Sequence, residues 1–325
     1  MPITILTESE LRECVSLDLE IIAAIENGFS SLSQDQVTMP PIMRIDFPEV
    51  NGEVDVKSAA VSGLDSFAIK VSSGFFDNYK LGMPSLSGMM MSFSAKTGVP
   101  EAVLLDNGFL TDVRTGAAGA VAARYLAREG VETVGVIGAG AQARYQMMGL
   151  KQVRDFQRVL VYSLAGMESY VEEMPDVLGV EVLPMESAEA VVKGSEILVT
   201  TTPSKQPYLK AEWLHPGLHI TAMGADAEGK QELHAEALGR ADLLVCDRRS
   251  QAFRLGECHH GLEAGVLSSP EEALELGEIT SGQQLGRTSD EQITVCDLTG
   301  TGMQDTVIAA FAYRRASAMQ LGMQV

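Results

Sequence analysis

The stretch that decides the fold is "VETVGVIGAGAQARYQ", residues 131–146. Val134, Val136 and Ile137 form a short apolar strand, Gly138 permits a tight turn, and Gly140 lets the backbone approach a ligand. Ala143 stands where a third glycine would let helix and strand pack closely. A strand, a glycine turn and a helix start, in that order, make a cradle for a pyrophosphate. The N–H groups of the first helical turn and the helix dipole both favour an anion there. A lone glycine pattern of this kind is weak evidence, but its context strengthens it. Five further strand-like segments follow, "RVLVYS", "VEVLPM", "EILVTTTPS", "HITAMGAD" and "DLLVCD", separated by helical or looping stretches. Six short apolar strands in this rhythm predict an α/β fold with a doubly wound parallel sheet, the Rossmann arrangement.

Working outward, 130 residues precede the glycine stretch. They hold proline breaks and a hairpin-like "VNGEV" within "TMPPIMRIDFPEVNGEVDVKSAAVS", then the strand-like "FAIKVSSGF" and "GVPEAVLLD". This reads as a mixed α+β layer. "RTGAAGAVAARYLAREG" reads as an Ala-rich helix starting just after Arg114, with Thr115 as its cap, and ending at Gly130. After "TVCDLTGTGMQD" a last helix, "TVIAAFAYRRASAMQ", has apolar residues at helical spacing and can return to the first domain.

Composition removes several function classes. The 325 residues carry a formal net charge of -20, and broad nucleic-acid contact needs clustered cations, so no nucleic-acid partner is expected. The first residues lack a basic segment followed by an apolar stretch, and no run of about 18 apolar residues occurs. A cytoplasmic protein without a membrane partner is the expectation. Cys14, Cys246, Cys258 and Cys296 are scattered and read as reduced thiols. "GECHHG" and the pair His215 and His219 lack zinc-ligand spacing, so no metal is expected. "SGMMMSF" reads as core or interface filler, and "SSPEEALELGEI" as an acidic helix start on the surface.

The second strand, which commonly carries the cofactor discriminator, ends in Ser163, Leu164 and Ala165. Neither an Asp for the ribose hydroxyls nor an Arg for a 2′-phosphate stands there; absence of the Arg favours NAD(H) over NADP(H). In the first domain Arg44, Lys70 and Arg114 stand out as cations among acids. Lys70 lies in an apolar strand pattern, so its ammonium needs an anionic partner. A structural ion pair to Asp46 or Asp55 is one reading and a substrate carboxylate the other. Arg114 has a guanidinium able to hold a carboxylate in two-point fashion.

The order of these segments resembles the ornithine cyclodeaminase/mu-crystallin family over nearly the whole chain. The matching stretches are "MPPIMRI", "AIKVSSGFFDN", "GMPSLSGMMMSFSAKTGVPEAVLLD", "VRTGAAGAVAARYLA", "VGVIGAGAQA", "HITAMGAD" and "ELGEITSGQQLGRTSDEQITVCDLTGTGMQD". The resemblance implies a homodimer. Residues 1–115 plus 303–325 would form the substrate-binding and dimerisation domain, with a Rossmann domain, 116–302, inserted into it. It implies that Arg44, Lys70 and Arg114 bind the carboxylate end of an amino or imino acid, and that Asp226 is the active-site aspartate. Were Asp226 structural instead, it would cap a helix beginning in "GADAEGKQEL". Arg114, Thr115, Gly138, Gly140, Ala141, Gln142, Ser163, Thr202, Met223 and Gly224 fall where such enzymes hold the dinucleotide.

After the lysine this chain has "VSSGFFDN", unlike the ornithine-cyclising members, and Ser72 and Ser73 offer hydroxyls that suit a shorter, more polar substrate. The expected reaction is NADH-dependent reduction of a small α-imino acid, with iminosuccinate to aspartate as the leading candidate and Lys70 or Asp226 giving the nitrogen its proton. A cyclodeaminase-type lyase, an alanine dehydrogenase and a non-catalytic mu-crystallin-like binder are the alternatives.

Overall fold

The computed structural model describes residues 2–325, the side chain of Tyr79 excepted. It divides into two compact units, Met1–Arg114 with Thr301–Val325, and Thr115–Gly300.

In the first unit the strands are Thr4–Thr7 (β1), Val37–Thr38 (β2), Met43–Phe47 (β3), Gly52–Val61 (β4), Ser66–Phe75 (β5), Leu86–Ser94 (β6) and Pro100–Leu105 (β7). In the second they are Thr133–Ile137 (β8), Arg158–Tyr162 (β9), Glu181–Pro184 (β10), Ile197–Thr200 (β11), His219–Ala222 (β12), Leu243–Cys246 (β13), Leu274–Glu275 (β14) and Thr294–Asp297 (β15). Met323–Gln324 (β16) returns to the first unit.

The first sheet runs β16-β1-β7-β6-β5-β4-β2, with β3 also paired to β4. The hairpin expected at "VNGEV" joins β3 to β4: Phe47 faces Gly52 across a short turn in which Asn51 takes the left-handed conformation at φ 49°. Along β5 burial alternates, and Ser66, Ala68 and Lys70 lie on the buried face. That face is covered by the helix Gly302–Ala318, which packs on β4, β5 and β6 and on the helix Leu19–Ser33. The approach to the latter is close at Gly28, where a Cβ would lie 2.3 Å from the sulfur of Met303.

The second sheet is parallel throughout, in the order β10-β9-β8-β11-β12-β15-β13-β14. Apolar clusters cover both of its faces, one around Val134, Val136 and Tyr170 and one around Ile220, Leu244 and Val295. Strand order reverses at β8, whose neighbours are β9 on one side and β11 on the other. Such a switch point is where doubly wound sheets take ligands.

Three local readings need correction. The Ala-rich helix spans Phe109–Leu126, so Arg114 and Thr115 lie within it and Thr115 is no cap. The turn at Asn107 and Gly108, both at positive φ, starts the helix earlier, and Asp106 Oδ2 accepts from Leu110 N at 2.9 Å. "TVCD", read only as a lead into the last helix, is β15, a central strand between β12 and β13. "SSPEEALELGEI" forms a single 3-10 turn at Pro270–Glu272, then β14 and the short helix Leu276–Thr280. The four cysteines are free and buried. No helix among the described residues is long and apolar enough to cross a membrane.

Candidate functional site

Directly opposed residues on antiparallel strands share a face, and this places the charges of the first unit. Lys57 of β4 faces Lys70 of β5, and two residues farther Asp55 faces both Ser72 of β5 and Arg44 of β3. All five side chains therefore stand on the side of the sheet that the final helix covers in part.

Lys70 is buried, 2% exposed, and its ammonium lies 3.0 Å from both carboxylate oxygens of Asp305 on the final helix. Arg114 is buried too, with Nε 3.0 Å from Asp305 Oδ1 and Nη1 donating to Gln304 Oε1 at 3.3 Å. The anionic partner that Lys70 needs is thus Asp305 and neither Asp46 nor Asp55. Burial drives the Lys70 ammonium down to about 7; Asp305 opposes that fall, while Arg114 and Lys57 add to it. Burial pushes Asp305 upward, but Lys70, Arg114 and Lys57 outweigh it and hold the carboxyl below its usual range. Asp106, at the end of β7, is raised to about 6 by burial, partly offset by backbone N–H groups and Lys70. Its Oδ1 is buried without a hydrogen-bond partner among the described residues. Three buried cations, Lys57, Lys70 and Arg114, therefore meet two buried carboxylates. Lys70 and Arg114 share one carboxylate, Asp305, and two cations on one acid favour a further anion.

Arg44 is placed differently. Its guanidinium lies against Asp46 at 2.9 Å, against Glu53, and 3.6 Å from Asp55. Sequence reading put Arg44 with Lys70 and Arg114; the structure gives it three carboxylates of its own. Ser72 is half-buried, and its hydroxyl makes a long contact, 3.5 Å, to Asp55 O.

In the second unit the glycine turn has the geometry a dinucleotide needs. Gly138 has φ +110°, and a Cβ there would lie 2.4 Å from Thr201 Oγ1. A Cβ on Gly140 would meet nothing within 4 Å, so the N-terminus of the helix Ala141–Val153 faces open space. Gly140 caps that helix without a side-chain hydrogen bond, and the first N–H groups of a helix are donors suited to a phosphate. Ala143 is buried and its carbonyl accepts from Tyr170 OH at 3.2 Å, the close packing its small side chain allows. Ser163 follows β9 and donates to Ala165 O at 2.7 Å. Thr115 is buried, and its carbonyl accepts from Gln146 Nε2 at 2.8 Å.

Thr202, Met223 and Gly224 follow β11 and β12 at their carboxyl ends. Thr202 N donates to Glu232 Oε1 at 2.6 Å and Gly224 N to Glu232 Oε2 at 2.9 Å. Asp226 follows in the same loop, half exposed and paired with Lys230 at 2.7 Å; no helix begins there, so Asp226 is not a helix cap. Lys230 O accepts from His260 Nε2 at 2.9 Å.

Two other features draw less chemistry. A cavity of about 420 Å³ is lined by Arg124, Arg128, Arg154 and Arg287. It lies at the amino ends of the parallel strands, away from the glycine turn. Arg154 and Arg287 are spent there on carbonyls that include Ala123, Leu126 and Ala127 at the end of the Ala-rich helix. His259, His260 and Glu263, for which no metal role was expected, bring one ligand atom each within 4.8 Å of one another. Glu263 is largely exposed, and the second nitrogens of both rings lie against the carbonyls of Phe253 and Lys230.

Asp305, Lys57, Asp106 and Glu232 are the residues that sequence reasoning missed. Lys57 had the signal that singled out Lys70, a cation inside a strand pattern. Asp305 had a subtler one, an acid opening an otherwise apolar helix.

Comparison with known proteins matches the description "Ornithine cyclodeaminase/mu-crystallin family" over residues 3–320. A curated relative from Sinorhizobium fredii, named an uncharacterized cyclodeaminase, is 47% identical over 98% of this chain and 97% of its own. The iminosuccinate reductase of Paracoccus denitrificans is 33% identical over 88% of each chain. Among solved structures, the pyrroline-2-carboxylate reductase of Thermococcus litoralis, in complex with NADH and L-proline, superposes with a TM-score of 0.95 at 30% identity, covering 99% of this chain and 100% of that one. An archaeal alanine dehydrogenase dimer with bound NAD superposes with a TM-score of 0.92 at 34% identity, covering 100% and 99%. The chain belongs to the ornithine cyclodeaminase/mu-crystallin family.

Proposed function

We propose that this member of the family reduces a small α-imino acid to the amino acid with NADH, and that iminosuccinate, giving aspartate, is its substrate. That the chain is an enzyme of the imine-reductase and amino-acid-dehydrogenase kind follows from its relatives. The observation that carries the reading is that two buried cations, Lys70 and Arg114, share one carboxylate, Asp305. An α-carboxylate placed there gives the two cations a second anion, and the Arg114 guanidinium can donate to it.

The unit Thr115–Gly300 takes the dinucleotide in this reading. Gly138, Gly140, Ala141 and Gln142 hold the pyrophosphate, Ser163 lies on the adenosine side, and Thr202, Met223 and Gly224 lie on the nicotinamide side; Arg114 and Thr115 complete the set. The Gly140 turn fits such a group, since it leaves open space at an uncapped helix start. NAD(H) is preferred over NADP(H), because no arginine follows β9 to receive a 2′-phosphate.

When bound, the nicotinamide supplies a hydride to the imine carbon. The chain's own part is orientation and a proton: Lys70, at about 7, is poised to give one to the imine nitrogen near neutral pH. Asp226 is the alternative donor. Ser72 offers a hydroxyl beside Lys70. Arg44 would reach a second carboxylate by giving up one of its three acids.

Those acids carry a second reading. Asp46, Glu53 and Asp55 outnumber Arg44 and would suit an amino group on the far end of a diamine, as in a cyclodeaminase. Freshly generated iminosuccinate, and imines of pyruvate or glyoxylate with ammonia, should be compared by net NADH oxidation. Fastest loss of NADH with iminosuccinate is expected. Turnover of monocarboxylates alone rejects the dicarboxylate, and ammonia release from ornithine without net cofactor change rejects the reductase.

A homodimer forms part of the proposal. Met43, Ile45 and Phe47 alternate with Arg44 and Asp46 along β3 and stand exposed on the opposite face, an apolar strip suited to a second copy. Light scattering of Ile45→Asp checks this, with monomer expected.

A further inference from the structure

Within the second unit one buried carboxylate touches neither a cation nor solvent, yet receives five hydrogen bonds. Glu232 Oε1 accepts from Thr202 N at 2.6 Å, Thr202 Oγ1 at 2.7 Å and Tyr208 OH at 2.8 Å. Its Oε2 accepts from Thr200 Oγ1 at 2.6 Å and Gly224 N at 2.9 Å. Four of the five donors come from the carboxyl ends of two neighbouring parallel strands, β11 and β12, and the fifth, Tyr208, from the segment between them. Glu232 is itself held from behind, since Glu257 accepts from Glu232 N at 2.7 Å and Leu233 N at 3.2 Å.

In a doubly wound sheet the dinucleotide lies across the switch point. Here the second strand, β9, is on one side of β8, so the adenosine half lies there. The nicotinamide half then lies beyond β8 on the other side, over β11 and β12. We propose that Glu232 is a positioning residue that clamps these two strand ends in the spacing that receives the nicotinamide half of the dinucleotide. The inference rests on the dinucleotide reading above and adds a residue that reading does not use.

The geometry makes the clamp specific to a carboxylate. Thr202 N–H and Gly224 N–H are fixed donors, one on each oxygen. A glutamine in either amide orientation would turn an NH2 toward one of them, whereas the three hydroxyls can rotate to suit. The spacing is tight as well: a Cβ on Gly224 would lie 2.2 Å from Thr202 O and 2.5 Å from Glu232 Oε2. Burial raises the carboxyl, with its donors opposing. Protonation would place an O–H where a fixed N–H points, so the clamp loosens on acidification, at a pH above the ordinary carboxylate range.

The test is titration of the full-length protein with NADH, followed by nicotinamide fluorescence. Glu232→Gln should weaken NADH binding by about tenfold or more, the effect of one unpaired buried donor. The KM for the imine should hardly change. Tyr208→Phe, which spares both backbone bonds, should stay within about twofold on the same reasoning. Wild-type affinity should fall as the pH is lowered toward the carboxylate range, while the Gln variant is flat. Equal NADH affinity in wild type and Glu232→Gln overturns the clamp, as does equal loss in Gln and Phe variants, which marks simple packing. If Glu232→Gln does not fold, wild-type NADH affinity that is flat on acidification overturns it alone. Wild type that binds NADH but reduces no imine breaks the proposed reaction and leaves the clamp standing.

Discussion

The first unit buries cations, Lys57, Lys70 and Arg114, against the carboxylates of Asp305 and Asp106. The second buries Glu232, Asp247, Glu257 and Asp297 without a side-chain ion pair among the described residues, although its buried Glu275 pairs with Arg248 at 2.9 Å. It meets those four instead with N–H groups and hydroxyls of its own chain, save for Asp297 Oδ1, which has no hydrogen-bond partner among the described residues. Asp247 accepts from Thr299 N and Gly300 N at 2.8 Å, and Asp297 from Cys258 N at 2.9 Å. Burial cost is met in both cases, but with different remainders. Carboxylates held by backbone donors fix loops in place and have little left for a ligand. Two cations that share one acid, as Lys70 and Arg114 share Asp305, can still take up a small anion.

The sharpest way to break this contrast is to remove a cation. Lys70→Ala should lower kcat/KM for the imine by about 10³-fold, within the range for a lost acid–base group, and leave NADH affinity near wild type. Unchanged turnover would remove Lys70 from the reaction. Next come the acids. Asp305→Asn leaves buried cations without their shared partner and should cost about 3–5 kcal/mol in denaturant unfolding. Asp297→Asn should cost only about 1 kcal/mol, because burial already raises that carboxyl to about 7 and its neutral form is close at hand. Similar costs for the two would erase the distinction between the units.

The pH dependence follows from the same charges. In the proposed reaction the proton donor is the ammonium of Lys70, whose folded-state value of about 7 lies below that of a free lysine. The donor is therefore present below that value, so kcat/KM should decline as pH rises through about 7. A bound carboxylate stabilises the ammonium and raises its value, so substrate-analogue binding at pH 7 should take up protons, as a calorimetric comparison of buffers can read. Asp297 gives a stability signal of opposite origin. Its folded value lies above the ordinary 3.8, so the native state binds the extra proton and stability falls as pH rises from about 4 to about 7. That slope should flatten in Asp297→Asn. The smallest effect is expected at Arg44. Its ion pairs are partly exposed, and Arg44→Ala should cost under about 1 kcal/mol in stability while shifting preference between mono- and dicarboxylate imines.

The nucleotide-binding half was legible because its signals are local. A strand, Gly138, Gly140 and Ala143 lie within one turn of chain, and their geometry depends on neighbours in sequence. β15 escaped notice because "TVCD" is four residues long and carries no period of its own; its place between β12 and β13 comes from pairing. Lys70 was legible as a buried cation, and its need for an acid followed from that. Which acid it meets did not follow, since Asp305 lies 235 residues away and Asp55 in the neighbouring strand.

Sequence by itself determined the parallel nucleotide-binding sheet and the presence of a lysine that cannot stay unpaired in an apolar strand. Tertiary structure alone decided that Arg44 joins three acids while Lys57 joins Lys70, and that Glu232 ties two strand ends together. The physical reason is range. Backbone preference and apolar period act over a few residues, whereas the balance of a buried charge is set by whichever groups the finished fold brings within about 4 Å.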